Sequence, residues 1–174
     1  TMVLKYRGVK KIVVADQSEQ RLSLARELGA SATCNVLEED LEAILKGQHG
    51  EAQHYGAAVA GTDVYIEATG VGPVLEQVIA LAKPGAGIVV VGVHKAAIQL
   101  NPLDLLIKEL RLVGSMAYPQ EFPEVIEMLS SGKVNTAPLI SHRYELDDFM
   151  EALATARDTS RAAKVMVSMN PSRS

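Results

Sequence analysis

The sequence holds 174 residues, 48% hydrophobic and 22% charged, with a formal net charge of −4; this is the profile of a globular protein with enough chain to bury a sizeable core. A net negative charge offers nucleic acid no electrostatic attraction, and the absence of Trp beside two Phe and five Tyr argues against a base-stacking platform. The single cysteine, Cys34, excludes an internal disulfide and a multi-cysteine zinc site, and reads as a small buried residue.

A membrane-spanning run of about 18 apolar residues is missing. Thr1 to Gly8 is too short and polar for a signal peptide. The expectation is therefore a cytoplasmic protein with no membrane and no nucleic-acid partner.

In chain order, Met2–Tyr6 carries an apolar face at helical spacing and Gly8 closes it as a C-cap would. Ile12 to Ala15 is a continuous apolar run, predicting a strand covered on both faces, and it ends on Asp16. Ser18 caps a helix with Leu22, Ala25 and Leu28 on its buried stripe, stopped by Gly29. Ala32-Thr33-Cys34 predicts a short strand, followed by a helix with Leu41, Ile44 and Leu45 on one face that ends near Gly47. Gln48 to Gly61 reads as a helix end and loop.

Asp63 to Ala68 predicts a strand and Thr69-Gly70-Val71-Gly72 a turn into the helix Pro73 to Ala82. Pro84-Gly85-Ala86-Gly87 turns into the most apolar strand, Ile88 to Val93. Ile98 and Leu100 alternate with polar neighbours as an edge strand would. Asn101-Pro102 opens a helix, and Leu110 to Gly114 is the next strand. This alternation of strand and helix argues for a parallel sheet with helices on both faces.

From Tyr118 the rhythm changes. Glu121 to Leu129 is a helix, Leu139 to Tyr144 an extended segment, Asp147 to Arg157 a helix capped by Asp147, and Ala163 to Met169 a final strand. The predicted division is 1–117 and 118–174.

Asp16 stands where a buried strand gives way to a helix, and such a carboxylate can accept bonds from both hydroxyls of an adenosine ribose. A 2′-phosphate would be repelled there, which favours NAD over NADP. Arg21 follows within reach of the same ribose or of a phosphate. On spacing alone an equal reading stands beside this: Asp16 caps the following turn, and Arg21 is a solvated helix residue. Gly70-Val71-Gly72 lies between a strand and a helix, yet the sixth position is Leu75. The full phosphate-cradling G-x-G-x-x-G pattern fails, and an ordinary tight turn is the better reading.

His49, His54, His94 and His142 show no ligand pairing at helical spacing and read as surface residues. The carboxylates Glu38-Glu39-Asp40 and Asp147-Asp148 sit at predicted helix starts, where the macrodipole favours them, and read as structural.

Taken together, several stretches resemble the zinc-containing medium-chain alcohol and polyol dehydrogenases: residues 8–16, Arg21 to Ala30 (RLSLARELGA), Asp63 to Gly70 (DVYIEATG), Gly87 to Val93 (GIVVVGV), Leu112-Val113-Gly114-Ser115, and Ala137 to His142. They run in the family's order over nearly the whole chain. The resemblance implies NAD-dependent oxidation of a small alcohol or polyol, a homodimer formed through the strand near Ile98 to Leu100, and a Rossmann-like fold. By position, Asp16 and Arg21 would hold the adenosine ribose and Ala68-Thr69-Gly70 would pass beside the adenine half. Val91-Gly92-Val93 would give backbone contacts to the nicotinamide amide, with Ser115, Met116 and Ala117 beside it. Lys164 would stand near the pyrophosphate, ahead of Arg161.

The match is to the family's C-terminal half. The family's first strand, its glycine loop and the zinc-bearing domain have no counterpart in the sequence, which leaves catalytic and metal-ligating residues unassigned. In the family that first strand lies mid-sheet, so two strands are expected to want a neighbour, and residues 118–174 correspond to a segment of the catalytic domain. The leading expectation is a coenzyme-binding half that is inactive alone, and the alternative is a non-catalytic dinucleotide-binding or regulatory module.

Overall fold

The structure is a computed structural model that describes residues 1–118, 121–158 and 160–169. The short helix α1 (Met2–Tyr6) leads to β1 (Val13–Asp16), α2 (Glu19–Glu27) and β2 (Ala32–Asn35). The Ser18 hydroxyl accepts the Arg21 amide at the start of α2, whose Leu22 and Ala25 are buried. β1 and β2 pair in parallel, with Asp16 opposite Asn35.

Helix α3 (Leu41–His49) begins where Asp40 accepts the amides of Glu42 and Ala43. Glu39 accepts the Asn35 amide at 2.7 Å. Asp40 thus caps the helix as a structural acid, and Glu39 bonds the end of β2 rather than the helix start.

Residues Gln48 to Gly61 correct the expectation of a loop. They contain the antiparallel pair β3 (Glu51–His54) and β4 (Ala57–Ala60), with His54 opposite Ala57. Tyr55 and Gly56 both have positive φ, 46° and 81°, the signature of a two-residue primed turn. Tyr occupies a position where Asn or Asp usually announces that turn, so the sequence hid it.

Strands β5 (Val64–Glu67), β6 (Gly87–Val90) and β7 (Arg111–Gly114) form a parallel sheet in that order, linked by α4 (Gly72–Leu81) and α5 (Pro102–Lys108). Tyr65, Glu67 and Ile88 are buried, and α4 contributes Leu75, Val78 and Ile79 to the core. Val64 and Ile66, on the other face of β5, are 57% and 49% exposed. Ala15 of β1 is exposed as well. The prediction that the run Ile12 to Ala15 is covered on both faces therefore fails at Ala15 within this chain.

Ile98 to Leu100 is irregular, which corrects the predicted edge strand. Its alternation has another cause: Ile98 packs against Gly72, where an added Cβ would lie 2.9 Å from Ile98 Cγ2, while the Gln99 amide reaches Glu76.

Helix α6 (Glu121–Ser130), the parallel pair β8 (Ile140–Glu145) and β9 (Lys164–Ser168), and α7 (Phe149–Arg157) complete the chain. Asp147 lies in a 3₁₀ turn, Leu146–Asp148, so the N-cap of α7 is Asp148 rather than Asp147, and it makes no side-chain cap bond. The chain forms two compact units, Thr1–Glu39 with Glu121–Ser174, and Asp40–Gln120. Among the described residues β1 pairs only with β2, and β5 only with β6.

Candidate functional site

In the first unit the strand β1 delivers Asp16 half-buried at its carboxyl end. Asp16 Oδ1 accepts the Ser18 amide at 2.9 Å, and Oδ2 lies 3.8 Å from Arg21 Nη1. The capping reading of this acid is met by one oxygen, while the other retains acceptor capacity beside a cation. Such an oxygen suits a diol. Lys164 is exposed on β9, where its amide and carbonyl are bound to the Ser141 hydroxyl. No described bond brings it to Asp16.

In the second unit the parallel strands bring three segments to one end of one sheet. Ala68-Thr69-Gly70 follows β5, Val91-Gly92-Val93 follows β6, and Ser115-Met116-Ala117 follows β7. The Ser115 amide continues the ladder to Val90 O at 3.0 Å. Met116 is 88% exposed, and Ala117 has a φ of 60°. The carboxyl ends of parallel strands are where α/β sheets bind ligands.

The glycine turn is a filled turn. Thr69 and Gly70 donate their amides to Glu67 Oε1 at 2.7 and 3.0 Å, and Val71 donates its own to Thr69 Oγ1 at 3.0 Å. Three consecutive amides are thus already bonded within the turn, so the tight-turn reading of Gly70-Val71-Gly72 holds.

Sequence reasoning missed the centre of this cluster. Glu67 has a fully buried side chain, and His94 Nε2 stands 2.7 Å from its Oε2. Burial pushes the Glu67 carboxyl up, but the Thr69 hydroxyl, His94 and the two loop amides more than offset it and hold the group below the usual glutamate range. The signal available was phase: Glu67 shares the inward face of β5 with Tyr65.

The reading of His94 as a surface residue is also corrected, since its side chain is 16% exposed and meets Glu67; His49, His54 and His142 are half-buried at the surface. His49 Nδ1 meets the Thr62 hydroxyl at 2.8 Å, His54 tilts against Tyr55 and His142 stacks on Tyr144. Thr62 and Glu67 lie 13 and 27 residues from their histidines, which is why spacing did not disclose them. Among the described residues no group of three or more His, Cys, Asp or Glu side chains could hold a metal ion. The zinc of the resembled family therefore finds no fit in these residues. No described helix is long and apolar enough to cross a membrane.

Parallel strands joined by helices, with an acid at the end of β1 and loops gathered at the ends of β5, β6 and β7, define an α/β protein of the Rossmann-like class. The model of the zinc-binding dehydrogenase family matches residues 1–131, and the chain belongs to that family. Human sorbitol dehydrogenase is 30% identical over 171 residues, 98% of this chain and 46% of that protein. The L-idonate 5-dehydrogenase (NAD(P)(+)) of Escherichia coli K12 is 30% identical over 164 residues, 94% of this chain and 45% of its own length. An alcohol dehydrogenase structure from E. coli CFT073, solved with NADH, superposes with a TM-score of 0.83 at 27% identity, covering 97% of this chain and 48% of its own. The chain spans about half the length of the curated relatives it matches.

Proposed function

We propose that this chain is the coenzyme-binding portion of a zinc-dependent alcohol or polyol dehydrogenase that uses NAD. The observation that carries the reading is Asp16, at the carboxyl end of a parallel strand with one carboxylate oxygen beside Arg21 and the other on the Ser18 amide. An acid so placed accepts ribose hydroxyls and repels a 2′-phosphate. The NADH-bound relative supports a nicotinamide cofactor, while the name of the idonate enzyme admits NADP as well.

In this reading residues 1–117 belong to the coenzyme domain and 118–174 to the catalytic domain. Asp16 and Arg21 bind the adenosine ribose, Ala68-Thr69-Gly70 lines the adenine half, Val91-Gly92-Val93 with Ser115-Met116-Ala117 orients the nicotinamide, and Lys164 serves the pyrophosphate. Bound NAD supplies the hydride acceptor for the substrate alcohol. This chain's residues bind and orient it; zinc ligation and the substrate pocket belong to other residues, and no turnover is assigned to the 174 residues alone. Family resemblance alone supports reading the working protein as a cytoplasmic homodimer, since residues 98–100 form no strand in this chain.

Calorimetric titration with NAD, ADP-ribose and NADP tests the reading. Binding of NAD and ADP-ribose ahead of NADP supports it. Tighter binding of NADP overturns the cofactor assignment, and alcohol oxidation by the chain alone overturns the assignment of the chemistry elsewhere. Micromolar NAD binding without any alcohol oxidation, even in a protein carrying the zinc-ligating domain, would instead favour the non-catalytic module.

A further inference from the structure

We propose that Glu67 and His94 form a positioning pair, a buried carboxylate gripped by one imidazole that fastens the loop after β5 to the loop after β6. The two loops thereby present their backbones to a dinucleotide as one unit. The proposal rests on the reading that these loops face the cofactor.

Glu67 gathers bonds from both loops. Its Oε1 accepts the Thr69 amide at 2.7 Å, the Thr69 hydroxyl at 2.5 Å and the Gly70 amide at 3.0 Å. Its Oε2 meets His94 Nε2 at 2.7 Å, and its main-chain carbonyl accepts the amides of Val91 and Gly92 at 2.8 and 3.0 Å. The Thr69 hydroxyl also accepts the Val71 amide, carrying the chain of bonds to the start of α4.

The packing leaves little room for any other arrangement. A Cβ on Gly92 would fall 2.7 Å from Glu67 Oε2 and would collide with the Gly70 amide nitrogen. A Cβ on Gly70 would fall 2.5 Å from Val93 O, and Gly70 holds a φ of 71°. Both glycines are thus required by close approach of backbone to backbone.

A carboxylate buried without partners is costly. An apolar side chain at this inward position of β5 would fill the space without that cost, but it could not hold two loops by hydrogen bonds. His94 is the only described side chain that bonds Oε2, so its loss leaves a buried acceptor empty and frees one loop from the other. Thr69 and the residues flanking His94 are exposed, so the pair works from beneath a surface open to ligand.

The test compares His94→Leu, His94→Gln and Glu67→Gln with the unaltered chain by hydrogen exchange and NAD titration. In His94→Leu the amides of Thr69 and Gly70, on the other loop, should exchange about tenfold faster together with those of Val91 and Gly92. His94→Gln retains an N–H donor and should recover much of the protection. NAD affinity should fall about tenfold in His94→Leu and Glu67→Gln, and less in His94→Gln.

Unchanged exchange at Thr69 and Gly70 in folded His94→Leu overturns the pair. If that variant does not fold, the imidazole Nε2 proton of the unaltered chain decides: a solvent-protected resonance supports the pair, and rapid exchange with water overturns it. Failure of the unaltered chain to bind NAD overturns the cofactor reading, while the exchange data still judge the coupling of the loops.

Discussion

Arg21 stands 3.8 Å from Asp16 on the carboxylate oxygen opposite the one that accepts the Ser18 amide. One acid therefore serves the turn with one oxygen and faces a cation with the other. Asp16→Asn keeps an oxygen for Ser18 and removes the charge. It should weaken NAD about 10- to 100-fold, the scale of one or two hydrogen bonds to a charged group, and weaken NADP less. Calorimetric titration of both cofactors gives the ratio, and an equal loss for the two would contradict the ribose role.

Lys108 shows a different use of a buried charge. It is 8% exposed and donates to the carbonyls of Ile79 and Ala80 at 2.9 and 2.7 Å, in the last turn of α4. Helix ends leave such carbonyls without partners in the helix. Lys108→Met preserves the stem and removes the donors, so a loss of roughly 2–4 kcal/mol in urea unfolding is expected. A change within a few tenths would show that water replaces the ammonium.

Most elements were legible because apolar periodicity and caps decide them locally. Ser18 announces α2, Asn101-Pro102 announces α5, and the run from Ile88 announces β6. What escaped depended on partners distant in sequence. The β3–β4 hairpin turns on the positive φ of Tyr55, which residue type does not disclose. His94 looked like a surface residue because Glu67, which gives it meaning, is separated from it by a helix and a strand. Ile98 and Leu100 mimicked a strand because packing on one side and solvent on the other produce the same alternation. The strand pattern singled out Asp16, and the resemblance pointed to Val91 and Ser115, but only the structure showed that the amides of Thr69, Gly70 and Val71 are already occupied.

Glu109 closes α5 in the left-handed conformation, with a φ of 49° and a ψ of 42°. That conformation costs an L-residue about 1–2 kcal/mol, and glycine's extra freedom in the unfolded chain returns about 0.5–1 kcal/mol of this. The side chain is exposed. Glu109→Gly should therefore stabilise the protein by about 0.5–1 kcal/mol, read as a raised midpoint in urea or a higher Tm. A destabilisation would show that the glutamate makes a contribution in solution larger than the backbone penalty.

The acid limb of stability should carry the signature of Glu67. Burial pushes its carboxyl up, the Thr69 hydroxyl, His94 and the amides of Thr69 and Gly70 more than reverse that, and the folded value lies below the unfolded one. For a carboxyl lowered on folding, the unfolded chain binds the proton more readily in the acid range. The contribution is complete above the unfolded value of about 4.3 and is lost as pH falls through the folded value. Glu67→Gln cannot titrate there. Although it should be less stable at neutral pH, its urea midpoint should fall less steeply than that of the unaltered chain between about pH 4.5 and pH 3. Asp63, also held low by its bond to Lys83, is common to both proteins and cancels in the comparison. Parallel curves across that range would mean that Glu67 keeps its ordinary affinity for the proton, and that the four donors around it do no more than compensate for burial.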